Sequence, residues 1–390
     1  MSDAATSGWF QRYLLPGLAF KAVVIGGGYA TGRELAEFFL PAGPRGGVMG
    51  MLLATGIWSA VCALTFALAQ AARAFDYRSF FRCLLGPAWP VFEVAYVLFL
   101  VLLLAVFGAA AGSLGNAMFG WPVVAGTLLL MATIGAFAAF GNRSVERLFK
   151  WVSFLLYGVY ALFLVLALSA FGDRIADSFA ADTTHAGWAL GGLTYAGYNI
   201  IGAVVILPVA RHFIGRRDAV VAGLAAGPLA MLPALLFFVC MAAWYPGIGD
   251  EALPSDFMLR RLGMPLFHLL FQAMIFSALL ESGTGIVHAL NERVAVSWQA
   301  RHGHALPNAA RFGIAAPLLV GSIFVAQRYG LVALIAGGYR ALAWTLLAIY
   351  VLPLASVGAW RLHRHRTGQA VPVPMVASPS ADSSLSGDRT

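Results

Sequence analysis

The sequence predicts an all-α polytopic membrane protein with about ten transmembrane helices. Hydrophobic residues make up 60% of the 390 residues and charged residues only 11%, a balance that soluble globular domains do not show. Apolar runs of about twenty residues, the length that crosses a bilayer, recur along almost the whole chain. We therefore expect a single domain embedded in the bilayer.

Ten apolar runs are assigned as spans 1 to 10. They cover residues 16–40, 48–71, 91–118, 121–140, 149–171, 188–209, 220–244, 264–290, 312–326 and 331–360. The transmembrane domain therefore covers 16–360 and follows a polar N-terminal segment at 1–15. Residues 361–390 are rich in Pro, Ser, Ala and Asp without periodicity, which predicts a disordered tail.

The loops on the two sides of the membrane differ in charge. Loops on one side hold most of the arginines, whereas loops on the other side hold few and carry most of the loop acids. Loops rich in Lys and Arg stay in the cytoplasm, so both termini are predicted to be cytoplasmic. The net charge of +8 is therefore a topology signal, and no nucleic-acid partner is expected.

The most unusual segment of the chain lies in the middle of span 1, where residues 26–34 read Gly-Gly-Gly-Tyr-Ala-Thr-Gly-Arg-Glu. Glycines and charges at bilayer depth are tolerated where the backbone faces protein or a wet cavity. The segment therefore predicts a broken helix whose free backbone groups and carboxylate bind a solute. The candidate substrate-binding residues are Gly27, Gly28, Tyr29, Thr31, Gly32 and Glu34. The alternative is a Gly28-xxx-Gly32 packing motif with Arg33, Glu34 and Glu37 directed outward.

Span 6 carries a similar pattern, with Gly-Gly at 191–192 and Tyr-Ala-Gly-Tyr at 195–198. Because five spans separate the two patterns, spans 1 and 6 run in opposite directions. Paired broken helices of opposite direction are typical of inverted-repeat transporters. We therefore expect two inverted five-helix repeats, at about 16–175 and 185–360, with helices 1 and 6 broken. Candidate substrate-binding residues in span 6 are Thr194, Tyr195, Tyr198 and Asn199; the alternative is that they hydrogen-bond between helices.

Span 8 carries polar residues at spacings of four, three and four, which place them on one helical face. They are Ser277, Glu281, Thr284 and His288, and Ser282 lies beside them. A buried carboxylate next to hydroxyls predicts a cation or proton site. Glu281, Ser277, Ser282 and Thr284 are therefore candidates for ion coupling. The alternative is a structural ion pair of Glu281 with Lys21 or Arg340.

Three separated motifs resemble those of the YkvI-like bacterial membrane proteins. They are Gly-Gly-Tyr-Ala-Thr-Gly-Arg-Glu at 27–34, Tyr-Asn-Ile at 198–200, and Glu-Ser-Gly-Thr-Gly at 281–285 with Asn-Glu-Arg at 291–293. The resemblance covers roughly residues 15–355. That group resembles the LeuT-type fold of the amino acid–polyamine–organocation superfamily. The resemblance implies two inverted five-helix repeats, unwound spans 1 and 6, and a location in the bacterial cytoplasmic (inner) membrane.

The same resemblance implies an ion site. In sodium-coupled members of that fold, one ion lies between the span 1 break and hydroxyls of span 8. The matching residues here are Ile25, Gly28, Ser277 and Ser282. The chain departs from that pattern by placing Glu281 in this region and Arg33-Glu34 after the break. Proton coupling therefore stays open beside sodium.

These features predict a secondary active transporter of a small polar metabolite, an amino acid or related amine, driven by a Na⁺ or H⁺ gradient. The alternative is a non-transporting receptor or scaffold that binds a small ligand. No GxSxG or HExxH pattern occurs and the three cysteines are scattered, so neither an enzyme nor a bound metal or other cofactor is expected. The expected partners are the substrate, a coupling cation and the lipid bilayer, and association with a second copy of the chain stays open.

Overall fold

The computed structural model describes residues 8–25, 31–140, 142–181 and 186–366. Within these residues the secondary structure is helical, with no β-strand. The predicted all-α class is therefore confirmed.

Helices occupy every predicted span. Span 1 comprises Leu15–Val24 and Arg33–Phe38, span 2 is Gly43–Ala72, span 3 is Trp89–Phe119, span 4 is Val123–Phe140 and span 5 is Asn142–Ala181. Span 6 comprises Trp188–Asn199 and Ile201–Val205, span 7 is Arg216–Ala242, span 8 is Pro265–His302 and span 9 is Asn308–Ala333. Span 10 comprises Leu334–Tyr339, Arg340–Leu346, Leu347–Val351 and Leu354–Gly358. Shorter helices at Tyr77–Leu85, Pro254–Leu262 and Ala359–Arg366 lie between or after the spans.

Six helices in the described parts of the chain are long and apolar enough to cross a membrane, and a shorter apolar helix lies at Val123–Phe137. By that measure the second half of span 1 is continuous with span 2, and span 9 is continuous with span 10. The helix of span 9 is kinked at Gly330, whose φ is 74°. The number of ten crossings stays a prediction.

The described residues on both sides of the glycine-rich segment of span 1 leave helical geometry. The first helical segment ends at Val24, and Ile25 leaves helical geometry with a ψ of 69°. The second segment begins at Arg33, after Gly32 with a φ of 78°. A positive φ is open to glycine without steric cost, which explains the residue type at that position. Gly27, Gly28 and Tyr29 lie outside the described residues.

Span 6 is not interrupted at its glycines, and the predicted position of that break is wrong. Gly191, Gly192 and Gly197 are all helical. One helical segment ends at Asn199 and the next begins at Ile201, so Ile200 alone separates them. A Cβ on Gly191 would overlap the carbonyl oxygen of Phe38, and one on Gly192 would overlap that of Gly50. The glycines therefore allow close helix packing, which is the other common use of small residues in membranes.

The segment before span 1 is tied to the start of span 7. The Arg12 guanidinium donates two hydrogen bonds to the Asp218 carboxylate, at 2.9 and 2.8 Å, and the Tyr13 hydroxyl donates a third at 2.6 Å. The backbone N–H of Ile214 donates a fourth at 3.1 Å. The hydrogen bond to Asp218, together with burial, raises the pKa of the Tyr13 hydroxyl. Asp218 is thus the acceptor that holds this end of the bundle together.

Replacement of Asp218 by Asn should destabilise the fold, because the guanidinium then loses its ionic partner. We expect Asp218→Asn to lower the free energy of unfolding by about 1–3 kcal/mol, the usual range for hydrogen bonds to charged groups. Thermal unfolding in detergent measures the loss. The exposed Asp177 gives the control Asp177→Asn, which should leave the melting temperature unchanged. Equal melting temperatures for the two variants would contradict this account.

Gly191 offers a test of the close packing between spans 1 and 6. Gly191→Ala should lower the free energy of unfolding by about 1–3 kcal/mol, because the added methyl group must push the backbones apart. The control is Gly172→Ala in span 5, where a Cβ meets nothing within 4 Å. That substitution should be neutral or stabilising by about 0.5–1 kcal/mol, since glycine is costly inside a helix. Thermal unfolding of both variants distinguishes packing from helix propensity.

Candidate functional site

A cavity of about 440 Å³ lies among the spans, with walls from spans 1, 3, 5, 6, 8 and 10. Its volume falls in the range of small-molecule sites in proteins. Its surface is mostly apolar and aromatic, with a few polar groups. The polar side chains that line it are Glu34, Tyr96, Tyr157, Tyr198, Asn199, Glu281, Ser282 and Tyr339.

Glu34 supplies one carboxyl group of the cavity. It lies in the first turn of the segment Arg33–Phe38, directly after the interruption of span 1, and only 5% of the residue is exposed. The Tyr198 hydroxyl of span 6 donates a hydrogen bond to the Glu34 carboxylate. The Tyr339 ring of span 10 stacks on the Tyr198 ring, with centroids 4.4 Å apart. Three spans therefore hold this carboxyl group in place.

Arg33, its neighbour in sequence, faces away from the cavity. Its guanidinium donates to the carbonyl oxygens of Gly249 and Glu251, at 2.6 and 2.9 Å, and forms an ion pair with Glu37 at 2.9 Å. Arg33 thus fixes the second half of span 1 to the loop after span 7. The packing alternative, in which Arg33 and Glu34 both point outward, is wrong for Glu34.

The predicted residues of spans 1 and 6 fall into two groups. Tyr198 and Asn199 line the cavity, whereas Thr31, Gly32, Thr194 and Tyr195 do not. Tyr195 is fully buried, with its ring 4.8 Å from Phe39 and 5.5 Å from Trp58 between centroids. Thr194 and Tyr195 lie four and three positions before Tyr198 and so share its side of the helix, which means that spacing alone could not separate the lining residue from the packed ones.

Span 8 contributes Glu281 and Ser282 to the cavity, which Ile25 of span 1 also lines. The predicted residues Ser277 and Thr284 do not line it. The Ser277 hydroxyl donates to the Ala273 carbonyl oxygen at 2.8 Å, and Thr284 is fully buried.

The helix is rotated relative to the face that its polar spacing suggested. The side that lines the cavity carries residues 278, 281, 282, 285, 286 and 289. Of the four residues that defined the predicted face, 277, 281, 284 and 288, only Glu281 lies on that side, and the candidate Ser282 beside them lies on it too. Sequence spacing defined a face of the helix but not its direction.

Glu281 lies outside the ion pairs found among the described residues. Its predicted partners are engaged elsewhere: Arg340 approaches Glu37 at 3.8 Å, and the Lys21 ammonium lies 4.5 Å from the centre of the Tyr157 ring. The alternative of a structural ion pair with Lys21 or Arg340 is therefore not seen. Glu281 instead presents its carboxyl group to the cavity.

Sequence reasoning missed four aromatic rings of the cavity wall, Phe99, Phe107, Tyr157 and Tyr339. Phe99 and Phe107 lie on a span that is apolar on all sides. Periodicity therefore carries no signal for which face meets the cavity. Tyr339 precedes Arg340 in a glycine-containing run, Gly-Gly-Tyr-Arg at 337–340, which resembles the span 1 pattern and could have marked it.

The sequence is similar to one curated bacterial protein of the predicted group. It is 24% identical over 291 residues to the uncharacterized membrane protein YkvI of Bacillus subtilis (strain 168), over 71% of this chain and 80% of that protein. No protein-family model matches the sequence. The predicted resemblance to the YkvI-like group is confirmed.

Superposition on solved structures identifies the fold of this chain. MhsT in complex with L-phenylalanine superposes with a TM-score of 0.55 at 16% identity, covering 92% of this chain and 98% of that one. A Na⁺-coupled sialic acid symporter superposes with a TM-score of 0.54 at 13% identity, covering 91% and 79%. The chain has the LeuT-type fold. At these identities the likeness concerns the fold alone.

In the LeuT-type fold of this chain, neighbouring positions of span 8 differ in exposure to the cavity, and cysteine labelling can detect the difference. We expect Ser282→Cys to react with a water-soluble thiosulfonate in detergent and Thr284→Cys, the matched control two residues away, to resist it. The native Cys62, Cys83 and Cys240 are buried, so background labelling should be low. Mass spectrometry of the labelled protein gives the readout. Reaction of Thr284→Cys but not Ser282→Cys would overturn the assigned orientation of span 8.

Proposed function

We infer that the protein is a secondary active transporter of a small polar metabolite, an amino acid or related amine, that works by alternating access. The observation that carries this proposal is the cavity itself, which places two carboxyl groups from spans 1 and 8 beside the interruption of span 1. Ionisable residues within a membrane are costly and are kept mostly for transport and coupling. Binding near interrupted helices is the common arrangement in secondary transporters.

The substrate is assigned to the side of the cavity formed by spans 1 and 6. Glu34 offers a carboxylate to an ammonium group, and Tyr198 holds that carboxylate in place. Asn199 donates its amide N–H to the Tyr195 carbonyl oxygen at 3.1 Å, which leaves its amide oxygen for a ligand. A small solute with an amino group fits this set of acceptors.

The coupling cation is assigned to Ile25, Glu281 and Ser282, which face the cavity from spans 1 and 8. Ile25 ends the first helical segment, so its carbonyl oxygen lies at the interruption. Carbonyl, hydroxyl and carboxylate oxygens are ligands suited to a hard cation, and the carboxylate alone can carry a proton. Na⁺ and H⁺ are thus both compatible with this site, and the related sialic acid symporter is Na⁺-coupled.

The remaining assignments follow from the charge distribution and the fold. We place the protein in the bacterial inner membrane with both termini in the cytoplasm, and we divide it into inverted repeats at about 16–175 and 185–360. Homo-oligomerisation is part of the proposal, to be measured by the mass of the protein–detergent complex. A binding protein without flux is the alternative that uptake measurements address.

Two variants that replace a carboxyl group of the cavity by an uncharged amide test the function. Purified protein in liposomes should accumulate an amine or amino acid under an imposed Na⁺ or pH gradient. Glu34→Gln and Glu281→Gln should each lower the initial uptake rate by about tenfold or more, the effect of losing a hydrogen bond to a charged group. Glu34→Gln should weaken substrate binding, whereas Glu281→Gln should weaken the dependence on the gradient.

Glu292→Gln is the matched control, because Glu292 lies on the same helix as Glu281 but pairs with Arg311 at 2.7 Å outside the cavity. It should transport like the unmodified protein. Ligand binding without uptake under any gradient would instead assign the protein as a receptor. Full activity of both cavity variants would remove Glu34 and Glu281 from the mechanism.

A further inference from the structure

The balance of charge in the cavity restricts the substrate further. Glu34 and Glu281 both line it, and its described lining contains no Lys, Arg or His side chain. Residues 26–30, which lie outside the described residues, are glycine, tyrosine and alanine by sequence and include no basic residue. The cavity is therefore acidic by composition.

The basic residues nearest in sequence to the site serve other partners. Arg33 binds Glu37 and two carbonyl oxygens of the loop after span 7. The Lys21 ammonium lies 4.5 Å from the centre of the ring of the wall residue Tyr157. Within the described part of the chain, the ion pairs include neither Glu34 nor Glu281. When these carboxyl groups are ionised, their counter-charges must therefore come from what the cavity binds.

The sum of the charges on the two cavity carboxylates, the substrate and the coupling cation favours one class of ligand. With both carboxylates ionised, one ammonium group and one coupling cation neutralise the loaded cavity. An amino acid would bring its own carboxylate along with its ammonium group and leave the loaded cavity with an uncompensated negative charge. Uncompensated charge in an apolar environment is strongly disfavoured, so the cavity discriminates against a free carboxylate on the substrate.

The rest of the wall suits the body of an amine. Six aromatic rings line the cavity, from Tyr96, Phe99, Phe107, Tyr157, Tyr198 and Tyr339. Aromatic faces attract organic cations and also pack against apolar groups. A volume of about 440 Å³ accommodates one small aryl or alkyl group with its ammonium.

We propose that the substrate is an organic amine with an apolar or aromatic body and no carboxylate, bound with its ammonium group on Glu34 while the coupling cation occupies Glu281. This assignment rests on the proposed transport function and narrows its substrate class. It also gives the two carboxyl groups separate roles, since each neutralises a different cation.

Matched trios of ligands test the substrate class on the full-length protein. Each trio shares one body and differs in charge: 2-phenylethylamine, L-phenylalanine and 3-phenylpropionate form the first, and pentylamine, L-norleucine and hexanoate the second. Thermal shift in detergent, at fixed pH and Na⁺, measures binding through the stabilisation that a ligand gives the folded state. We expect at least one amine to bind about tenfold or more tightly than its amino acid, and both acids to give no shift.

Two variants test whether the ammonium group of the ligand binds Glu34. Glu34→Gln should abolish the shift with the amine, whereas Glu292→Gln should keep it. The comparison among ligands uses the unmodified protein, so the class assignment is tested even where Glu34→Gln does not fold. Counterflow of the labelled amine in liposomes supplies the transport readout.

The outcomes separate the two proposals. An amino acid that binds as tightly as its amine, or more tightly, would overturn the substrate class and leave the transport function in place. Failure of every amine to bind, with uptake of another solute under a gradient, would do the same. An amine that binds as expected but is not moved in counterflow or under any gradient would keep the ligand class and overturn the transport function.

Discussion

Backbone that leaves helical geometry inside a membrane must find its hydrogen bonds in neighbouring protein, and the interruption of span 1 depends on that constraint. The loop after span 7 supplies some of these hydrogen bonds. Its Ser255 N–H donates to the Thr31 carbonyl oxygen at 3.0 Å, and its Gly249 and Glu251 carbonyl oxygens accept from Arg33. With the second half of span 1 fixed in this way, Glu34 is held at the cavity wall.

Close contact of backbones holds the helices around this interruption. Positions without a Cβ recur where spans meet: Gly191 lies against Phe38 of span 1, Gly192 against Gly50 of span 2, and Gly223 of span 7 against Ala63 of span 2. Lipid chains are as apolar as the side chains of the helices, so such packing replaces the hydrophobic effect as the source of cohesion. Spans 1, 2, 6 and 7 therefore form a tightly packed group beside the cavity.

The fold was predictable because its signals are local. Composition and run length gave the membrane class. The glycine-rich segment at 26–34 predicted a break in span 1, and the described residues Ile25 and Gly32 leave helical geometry. The site was predictable only in part. Glu34, Tyr198, Asn199, Glu281 and Ser282 were found because polar side chains are conspicuous in apolar helices.

The errors in the predicted site came from two properties that the sequence does not show: which way a helical face points, and which residues pack against it. The glycines of span 6 were interpreted as a break because glycine serves both flexible backbone and close approach, and only the neighbours Phe38 and Gly50 distinguish the two uses. Ser277 and Thr284 were misplaced because helical spacing defines a face without stating what it faces. Phe99 and Phe107 were missed because apolar rings on an apolar helix carry no contrast.

The attachment of the loop after span 7 has a consequence for how its sequence can vary. The three contacts that bind it to span 1 use the carbonyl oxygens of Gly249 and Glu251 and the N–H of Ser255, all backbone groups. The attachment therefore depends on the path of this backbone and not on hydrogen-bonding groups of the side chains at those positions. Relatives of this protein can therefore share the same architecture when the sequence of this loop differs among them, provided that they keep the arginine at position 33.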